Sequence, residues 1–211
     1  MFGWRGFGYF IFLLFCLGRV FCGGGKEQKI TVQKPEEPVA KPAEKVLIVI
    51  APVNFRDEEF KEPYDLLTKS TIDVVIASTD TIPAKGMLGM VVKPQITLSR
   101  VNPDSFDALV IAGGTGCKVL WDNETLHKIV QTFNEKRKPI GAICIAPVVL
   151  ARAGVLKDRK VTSYPDVSHE IIPHCAGYTG ADVEISDNII TASGPQAAKD
   201  FAKAILEAVK K

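Results

Sequence analysis

The sequence has no strong excess of charge of either sign. This absence argues against a function in which the protein binds its partner through a large electrostatic field. The chain of 211 residues carries 26 basic and 24 acidic side chains. Residues 46–211 hold 19 of the basic and 20 of the acidic ones, a net charge of −1. Because nucleic-acid binding relies on clustered positive charge, we expect no nucleic-acid partner.

Cysteine is scarce, and its number is odd. Of the five cysteines, Cys16 and Cys22 lie near the N-terminus, which leaves Cys117, Cys144 and Cys175 in the rest of the chain. Three cysteines give no complete disulfide framework. In an oxidising compartment, a Cys117–Cys175 disulfide would leave Cys144 free. The sequence shows no internal repeat, and we predict neither a metal site nor a cofactor.

The N-terminus lacks an apolar run of the roughly 20 residues that a membrane-spanning helix needs. The apolar stretch Phe7–Leu17 is closer to the hydrophobic region of a signal peptide, and residues 1–22 are predicted to be a signal peptide or membrane anchor. Cys22 precedes three glycines and is a candidate for lipidation, although Arg19-Val20-Phe21 departs from the small residues expected before a lipidated cysteine. Cleavage after Gly18, a retained short anchor and a buried N-terminal helix are the alternatives.

Residues 23–45 contain Lys, Glu and three prolines and are predicted to form a flexible tether, because such a composition cannot bury a core. The remaining residues, 46–211, form the predicted domain. We therefore expect an extracytoplasmic domain that is held at a membrane by its N-terminus, or one that is secreted or periplasmic after cleavage.

Strand and helix patterns alternate after the tether, which indicates a mostly parallel sheet covered on both faces. Strands are predicted at Val46–Ala51, Ile72–Ser78, Phe106–Ala112, Pro139–Ile143, Lys160–Ser163, Val183–Ser186 and Ile189–Ala192, with a small hairpin at Lys85–Val92. Helices are predicted at Asp57–Ser70, interrupted near Pro63, and at Asn123–Lys138, Pro147–Ala153 and Pro195–Lys210. The predicted fold is an α/β three-layer sandwich of the flavodoxin type.

Cys144 lies where one of these strands turns into a helix. It follows the apolar run Pro139–Ile143, and Pro147 stands near the first helical position, where its missing N–H costs nothing. This pattern predicts a cysteine nucleophile elbow, with the thiol above the carboxyl end of the sheet. The dipole of the following helix favours a thiolate, so we expect a depressed pKa for Cys144. The alternative is a buried cysteine that acts as a small hydrophobic side chain.

Five segments of the chain, in order, resemble the DJ/PfpI superfamily, a group of class I glutamine-amidotransferase-like proteins that includes the Parkinsonism-associated deglycase and PfpI-type cysteine proteases. The segments are Lys45–Ile50, Asp57–Phe60 with Pro63, Phe106–Gly114, Gly141–Pro147 and Val161–Pro165. The resemblance covers residues 45–211. It implies the same flavodoxin-like fold and a homodimer or higher homo-oligomer.

The resemblance also implies partners for the thiol. Glu59 matches the family glutamate that approaches the nucleophile, where a protonated carboxyl donates to the thiolate and relays protons; this role requires a raised pKa. The backbone N–H groups of Gly114 and Ile145 are the predicted oxyanion hole. The alternatives are a solvent-facing Glu59 and an ordinary tight turn at Gly114.

The chain departs from the protease branch at two places. That branch has a histidine directly after the nucleophile and a glutamate in the loop after the paired glycines, whereas this chain has Ile145 and Lys118 there. A general base must then come from Glu59, from Tyr164, or from a histidine of the loop 168–178. This loop contains His169 and His174, and we take His174 as the candidate. Cys117 and Cys175 are candidate redox partners of Cys144.

These features predict a cysteine-nucleophile enzyme that acts on small reactive carbonyl compounds or their protein adducts, as a deglycase or glyoxalase does, or a related amide or ester hydrolase. General proteolysis is not expected. The alternative is a redox-responsive or chaperone-like stress protein that uses reversible oxidation of Cys144, and a weaker alternative is a tethered binding module without catalysis.

Overall fold

The computed structural model describes residues 44–211. The predicted signal peptide or anchor, Cys16, Cys22 and nearly all of the tether lie outside these residues. Within the part of the chain that is described, no helix is both long and apolar enough to cross a membrane.

Strands and helices alternate along the described chain. The strands are β1 (Lys45–Val49), β2 (Val53–Phe55), β3 (Asp73–Ser78), β4 (Ala84–Gly86), β5 (Val91–Val92), β6 (Ile96–Thr97), β7 (Ala108–Ile111), β8 (Ile140–Ile143), β9 (Lys160–Val161), β10 (Gly177–Tyr178), β11 (Val183–Ser186) and β12 (Ile189–Ala192). The helices are α1 (Asp57–Lys69), α2 (Glu124–Glu135), α3 (Pro147–Arg152), α4 (Ser168–Ile171) and α5 (Ala198–Val209). A 3₁₀ turn at Thr115–Leu120 follows β7.

Seven strands form the central sheet, in the order β11-β12-β8-β7-β1-β3-β6. Neighbours are parallel except β11 and β12, which form the predicted antiparallel hairpin. The chain runs from β1 to β3 and β6 in one direction, then returns to β7 and continues through β8 to β12. The order of strands therefore reverses between β1 and β7, and ligands of such sheets bind at the carboxyl ends of strands beside this point.

The helices cover both faces of the sheet. Right-handed crossovers that run in opposite directions from the centre of the sheet place α1 and α2 on opposite faces. Helix α5 packs against α1 and β8, while α3 packs against α2. Gly141 of β8 makes room for α5, because a Cβ at this position would lie 2.4 Å from Cδ1 of Ile205. The predicted three-layer α/β sandwich is confirmed.

Two predicted features of the helices are wrong. Helix α1 continues through Pro63 without interruption. Pro63 removes one N–H from the helix, but it lies on the buried face with Phe60 and Leu67, and burial of that face keeps the turns on both sides helical. The closing helix begins at Ala198 rather than Pro195, because Pro195–Ala197 forms a 3₁₀ turn.

Candidate active site

Cys144 occupies a strained turn between β8 and α3. Its φ of 63° lies in the left-handed region, which costs a residue with a side chain about 1–2 kcal/mol. Two backbone hydrogen bonds hold the turn: Cys144 N–H donates to the Ala192 carbonyl at 2.8 Å, and Tyr164 N–H donates to the Cys144 carbonyl at 2.9 Å. This geometry is that of a nucleophile elbow, and the thiol lies at the carboxyl ends of the parallel strands.

The elbow opens onto a cavity of about 540 Å³. Cys144 is 8% exposed, so its sulfur belongs to the cavity wall rather than to the protein surface. Of the predicted site residues, the cavity is lined by Glu59, Gly114, Cys144, Ile145 and Tyr164. Lys118, Trp121 and His169 also line it.

Glu59 reaches the elbow from the first turn of α1 and is fully buried. Its Oε2 accepts a hydrogen bond of 2.9 Å from Gly113 N–H. A Cβ at Gly113 would lie 2.6 Å from this Oε2 and 2.8 Å from Cβ of Cys144, so the carboxyl and the cysteine lie against the same glycine. Oε1 is buried and has no hydrogen-bond partner of ordinary geometry. Glu59 is therefore not the solvent-facing glutamate of the alternative hypothesis.

Burial raises the pKa of Glu59 to about 7, and the hydrogen bonds that its carboxylate accepts from the Cys144 thiol and from Gly113 N–H oppose this increase only in part. A large fraction of this carboxyl is consequently protonated at neutral pH. The direction of the shift is the one that proton donation from Glu59 requires.

The predicted depression of the Cys144 pKa is wrong. Burial and the negative charge of Glu59 raise the pKa of the thiol to about 12, while hydrogen bonds from the N–H groups of Gly114 and Ile145 lower it only in part. The dipole of α3 does not prevail because this helix has only six residues and the sulfur is buried. Protonation of Glu59 removes the repelling charge and makes the carboxyl a hydrogen-bond donor.

Two backbone N–H groups, those of Gly114 and Ile145, lie near enough to the Cys144 sulfur to lower the pKa of its thiol. Gly114 has a φ of 91°, and a Cβ there would lie 2.3 Å from Arg56 N and 2.5 Å from the Asn54 carbonyl oxygen. Only glycine fits this conformation in this space. The structure thus brings the two predicted oxyanion donors to the same atom.

The two predicted auxiliary residues, Tyr164 and His174, are placed differently with respect to the cavity. Tyr164 is 39% exposed at the cavity rim, whereas His174 lies on an exposed 3₁₀ turn and does not line the cavity. His169 lines the cavity instead, with Nε2 3.7 Å from Oε1 of Glu170. The sequence does not distinguish the two histidines, because only the fold of the loop 168–178 into α4 and a 3₁₀ turn separates them.

The cysteines of the described chain are free thiols, so the predicted Cys117–Cys175 disulfide is not formed. Cys117 is completely buried, and burial, with the charges of Glu59 and Cys144, raises its pKa. Cys175 is half-buried, and its sulfur donates to the Ile172 carbonyl at 3.7 Å. Of these two cysteines, Cys117 is the one whose pKa the charge of Cys144 affects.

Trp121 was not predicted from the sequence. Its indole Nε1–H donates a hydrogen bond of 3.1 Å to the carbonyl of Ile145, the residue after Cys144. A tryptophan between a strand and a helix carries no distinctive spacing, so nothing in the sequence identifies this contact. Within residues 44–211, no group of three or more His, Cys, Asp or Glu side chains is placed to hold a metal ion.

Comparisons with known proteins agree with this geometry. The model of the DJ-1/PfpI family matches residues 44–208. A deglycase of Pyrococcus horikoshii is 35% identical over 151 residues, which cover 72% of this chain and 90% of that protein. A glutathione-independent glyoxalase of Caenorhabditis elegans is 31% identical over 164 residues, which cover 78% and 88%. The crystal structure of a ThiJ/PfpI domain protein from Brachyspira murdochii has a TM-score of 0.77 at 30% identity and covers 80% of this chain and 97% of its own.

The family match extends over nearly all of the described residues and includes the elbow, the paired glycines and Glu59. The matched region covers most of the length of both relatives, so the similarity is not confined to a shared motif. The chain belongs to the DJ-1/PfpI family.

Proposed function

We propose that the protein is a cysteine-dependent enzyme that acts on small reactive carbonyl compounds such as methylglyoxal, or on their adducts with proteins. The observation that supports this most strongly is the convergence of a buried carboxyl and two backbone N–H groups on the sulfur of Cys144, in the wall of a cavity. The names of two relatives, a deglycase and a glyoxalase, support the same class of substrate.

The first chemical step is addition of the sulfur to the carbonyl carbon. The sulfur lone pair forms the S–C bond, and the electron pair of the C=O bond moves to oxygen. The oxygen then accepts one proton, so that the thiol and the aldehyde together give a hemithioacetal. The N–H groups of Gly114 and Ile145 stabilise the negative oxygen before it is protonated.

Glu59 takes the proton from the thiol and later gives it to the new oxygen, so that the protons of this step balance. The thiol with a Glu59 carboxylate and the thiolate with a Glu59 carboxylic acid both carry one negative charge in the buried pair. In the second arrangement the charge lies on sulfur, near two N–H groups that stabilise it. Glu59 then returns the proton to the new oxygen, and this transfer requires a carboxyl that holds a proton near neutral pH.

Carbonyl addition suits this site better than peptide cleavage. Expulsion of an amine needs a second acid-base group besides Glu59, and the chain has Ile145 and Lys118 at the two positions where the protease branch has histidine and glutamate. His169 lines the cavity, but its side chain is 74% exposed to solvent. Addition to an aldehyde expels no leaving group and needs less acid-base assistance.

Consumption of methylglyoxal by the wild type and by Cys144→Ser tests the proposal. Turnover should be lost in Cys144→Ser and kept in the matched variant Cys175→Ser, because Cys175 does not line the cavity. Equal consumption by the wild type and Cys144→Ser would exclude the proposal.

A second candidate function is redox response through reversible oxidation of Cys144. It is favoured by the same two N–H groups, which can donate to the oxygens of an oxidised sulfur, and by the protonated state of Glu59. Mass spectrometry after exposure to peroxide distinguishes the two functions. A sulfenate on Cys144 that dithiothreitol reduces back to the thiol, in a protein without carbonyl turnover, would favour the redox function.

A further inference from the structure

The elbow has one anchor that only a particular side chain can provide. Two of its hydrogen bonds, to Ala192 and from Tyr164, join backbone groups and are available to many sequences. The third is the bond from the Trp121 indole to the Ile145 carbonyl. A hydrogen bond of this kind depends on the indole N–H and is lost in phenylalanine, whose ring has no donor.

The Ile145 carbonyl needs this donor because the start of α3 supplies none. The N–H four residues later, that of Val149, donates to Ala146 at 2.9 Å, and Pro147 has no N–H. Without the indole, the carbonyl of a residue that is 8% exposed would have to find another partner. The Trp121 contact therefore satisfies a backbone group directly beside the nucleophile.

Trp121 also joins the two halves of the oxyanion hole. It is the residue that ends the 3₁₀ turn Thr115–Leu120, and this turn begins directly after Gly114. Gly114 supplies one N–H to the sulfur, and Ile145 supplies the other. Trp121 is thus attached by the chain to one donor and by a hydrogen bond to the other.

The indole is itself held in place from two sides. The guanidinium carbon of Arg152 lies 5.2 Å from the centre of the Trp121 ring, in the range of a cation–π contact. Arg152 donates to Asp122 at 2.5 Å and to Glu170 at 3.1 Å. The Trp121 carbonyl is 2.7 Å from Nε2 of His127. The His127 contact fixes the backbone of Trp121, and rotation of the indole away from Ile145 would break its contact with Arg152.

We propose that Trp121 is a positioning residue, which sets the distance between the Gly114 and Ile145 N–H groups through its hydrogen bond to the Ile145 carbonyl. The assignment extends the proposed function and rests on it for the carbonyl reaction. The effect of Trp121 on the Cys144 sulfur does not depend on any substrate.

Trp121→Phe tests this in the full-length protein, since phenylalanine keeps a ring against Arg152 and removes only the N–H. Gln131→Leu is the matched control, because Gln131 Nε2 donates to a backbone carbonyl at the other end of α3, that of Ala153, at 2.9 Å. The rate of Cys144 alkylation by iodoacetamide is followed by peptide mass spectrometry across pH, and kcat and KM are measured with methylglyoxal.

Trp121→Phe should lower the rate of Cys144 alkylation by roughly three- to tenfold at each pH between about 7 and 9, because the Ile145 N–H moves from the sulfur and stabilises the thiolate less. The value of kcat should fall by roughly three- to tenfold, which corresponds to the loss of one neutral hydrogen bond, with KM unchanged within about twofold. Gln131→Leu should change neither quantity.

An unchanged alkylation profile in a folded Trp121→Phe protein would overturn the proposal, as would an equal decrease in Gln131→Leu. If Trp121→Phe does not fold, Arg152→Gln decides, because it weakens the support of the indole and should change the alkylation rate in the same direction. A wild type that does not consume methylglyoxal contradicts the proposed function, while the alkylation profile still tests Trp121.

Discussion

Substitution of Glu59 by glutamine should stabilise the protein at alkaline pH while it lowers activity. Glutamine has nearly the shape of the carboxylic acid, and its side-chain oxygen can accept the bond from Gly113 N–H that Oε2 accepts in the wild type. It cannot ionise. The variant therefore removes the unfavourable burial of a charge without removing the hydrogen bond to the loop.

The magnitude follows from the difference between the folded and unfolded pKa of Glu59. Burial raises the pKa from 4.5 to about 7. The folded state thus holds its proton more tightly than the unfolded state, so this contribution to stability is complete below pH 4.5 and is lost as the pH rises through 7. At 1.36 kcal/mol for each pH unit, the loss between pH 4.5 and pH 8 is on the order of 3 kcal/mol.

Urea denaturation of both proteins between pH 4.5 and pH 8 measures this difference. The free energy of unfolding of Glu59→Gln minus that of the wild type should grow by on the order of 3 kcal/mol toward pH 8. Glu62→Gln, one turn further along the exposed side of α1, is the control and should show no comparable increase. A difference that does not vary with pH would show that the pKa of Glu59 is not raised. Activity of Glu59→Gln should meanwhile fall by about 10²–10⁴, the usual effect of removing one positioned acid or base.

Three further predictions concern the rest of the molecule. Gly113→Ala should destabilise the protein by about 1–3 kcal/mol and reduce kcat/KM at least tenfold, because its Cβ would lie within 2.8 Å of both Glu59 Oε2 and Cys144 Cβ. Gly154→Ala is the control, since its φ of 77° is strained for alanine but its Cβ would meet no other atom. This control should lower the melting temperature and leave kcat/KM unchanged. The wild type should not cleave casein, since Ile145 and Lys118 replace the histidine and glutamate of the protease branch, and cleavage that depends on Cys144 would contradict this. Full-length protein should fractionate with membranes and lose this association in Cys22→Ala if the anchor is a lipid; recovery of the unprocessed chain in the cytoplasm would exclude an anchor.

The sharp turn at Cys144 could be predicted from the sequence because it depends on local chain geometry. A buried apolar strand that ends at Cys144 and a proline three residues later leave few conformations other than a sharp strand-to-helix turn. The glycines after β7 were predictable for a similar reason, since only a residue without Cβ fits the left-handed conformation of Gly114 beside Arg56. These features need no knowledge of distant contacts.

The side chains of the loop 168–178 could not be placed from the sequence. His169 and His174 are five residues apart, and both lie in a segment without strong periodicity. The structure brings His169 to the cavity because α4 begins at Ser168, while the chain after Ile172 turns away in a 3₁₀ conformation. The difference arises from packing of α4 against α3, a contact that no local pattern records.

The charge of the site could not be predicted either, because it depends on burial by the whole fold. The start of a helix beside Cys144 favours a thiolate, and this argument alone gives the wrong direction for the pKa. The central sheet, α1 and the turn after β7 remove water from both Cys144 and Glu59, and burial is then the largest effect on each pKa. Two acids that share one buried space resist a second negative charge, so the site holds a single proton between carboxyl and sulfur above pH 7. A chain that placed Cys144 at the same elbow but exposed Glu59 to water would keep the thiol in place and, under the proposed function, lose the proton that the carbonyl oxygen has to receive.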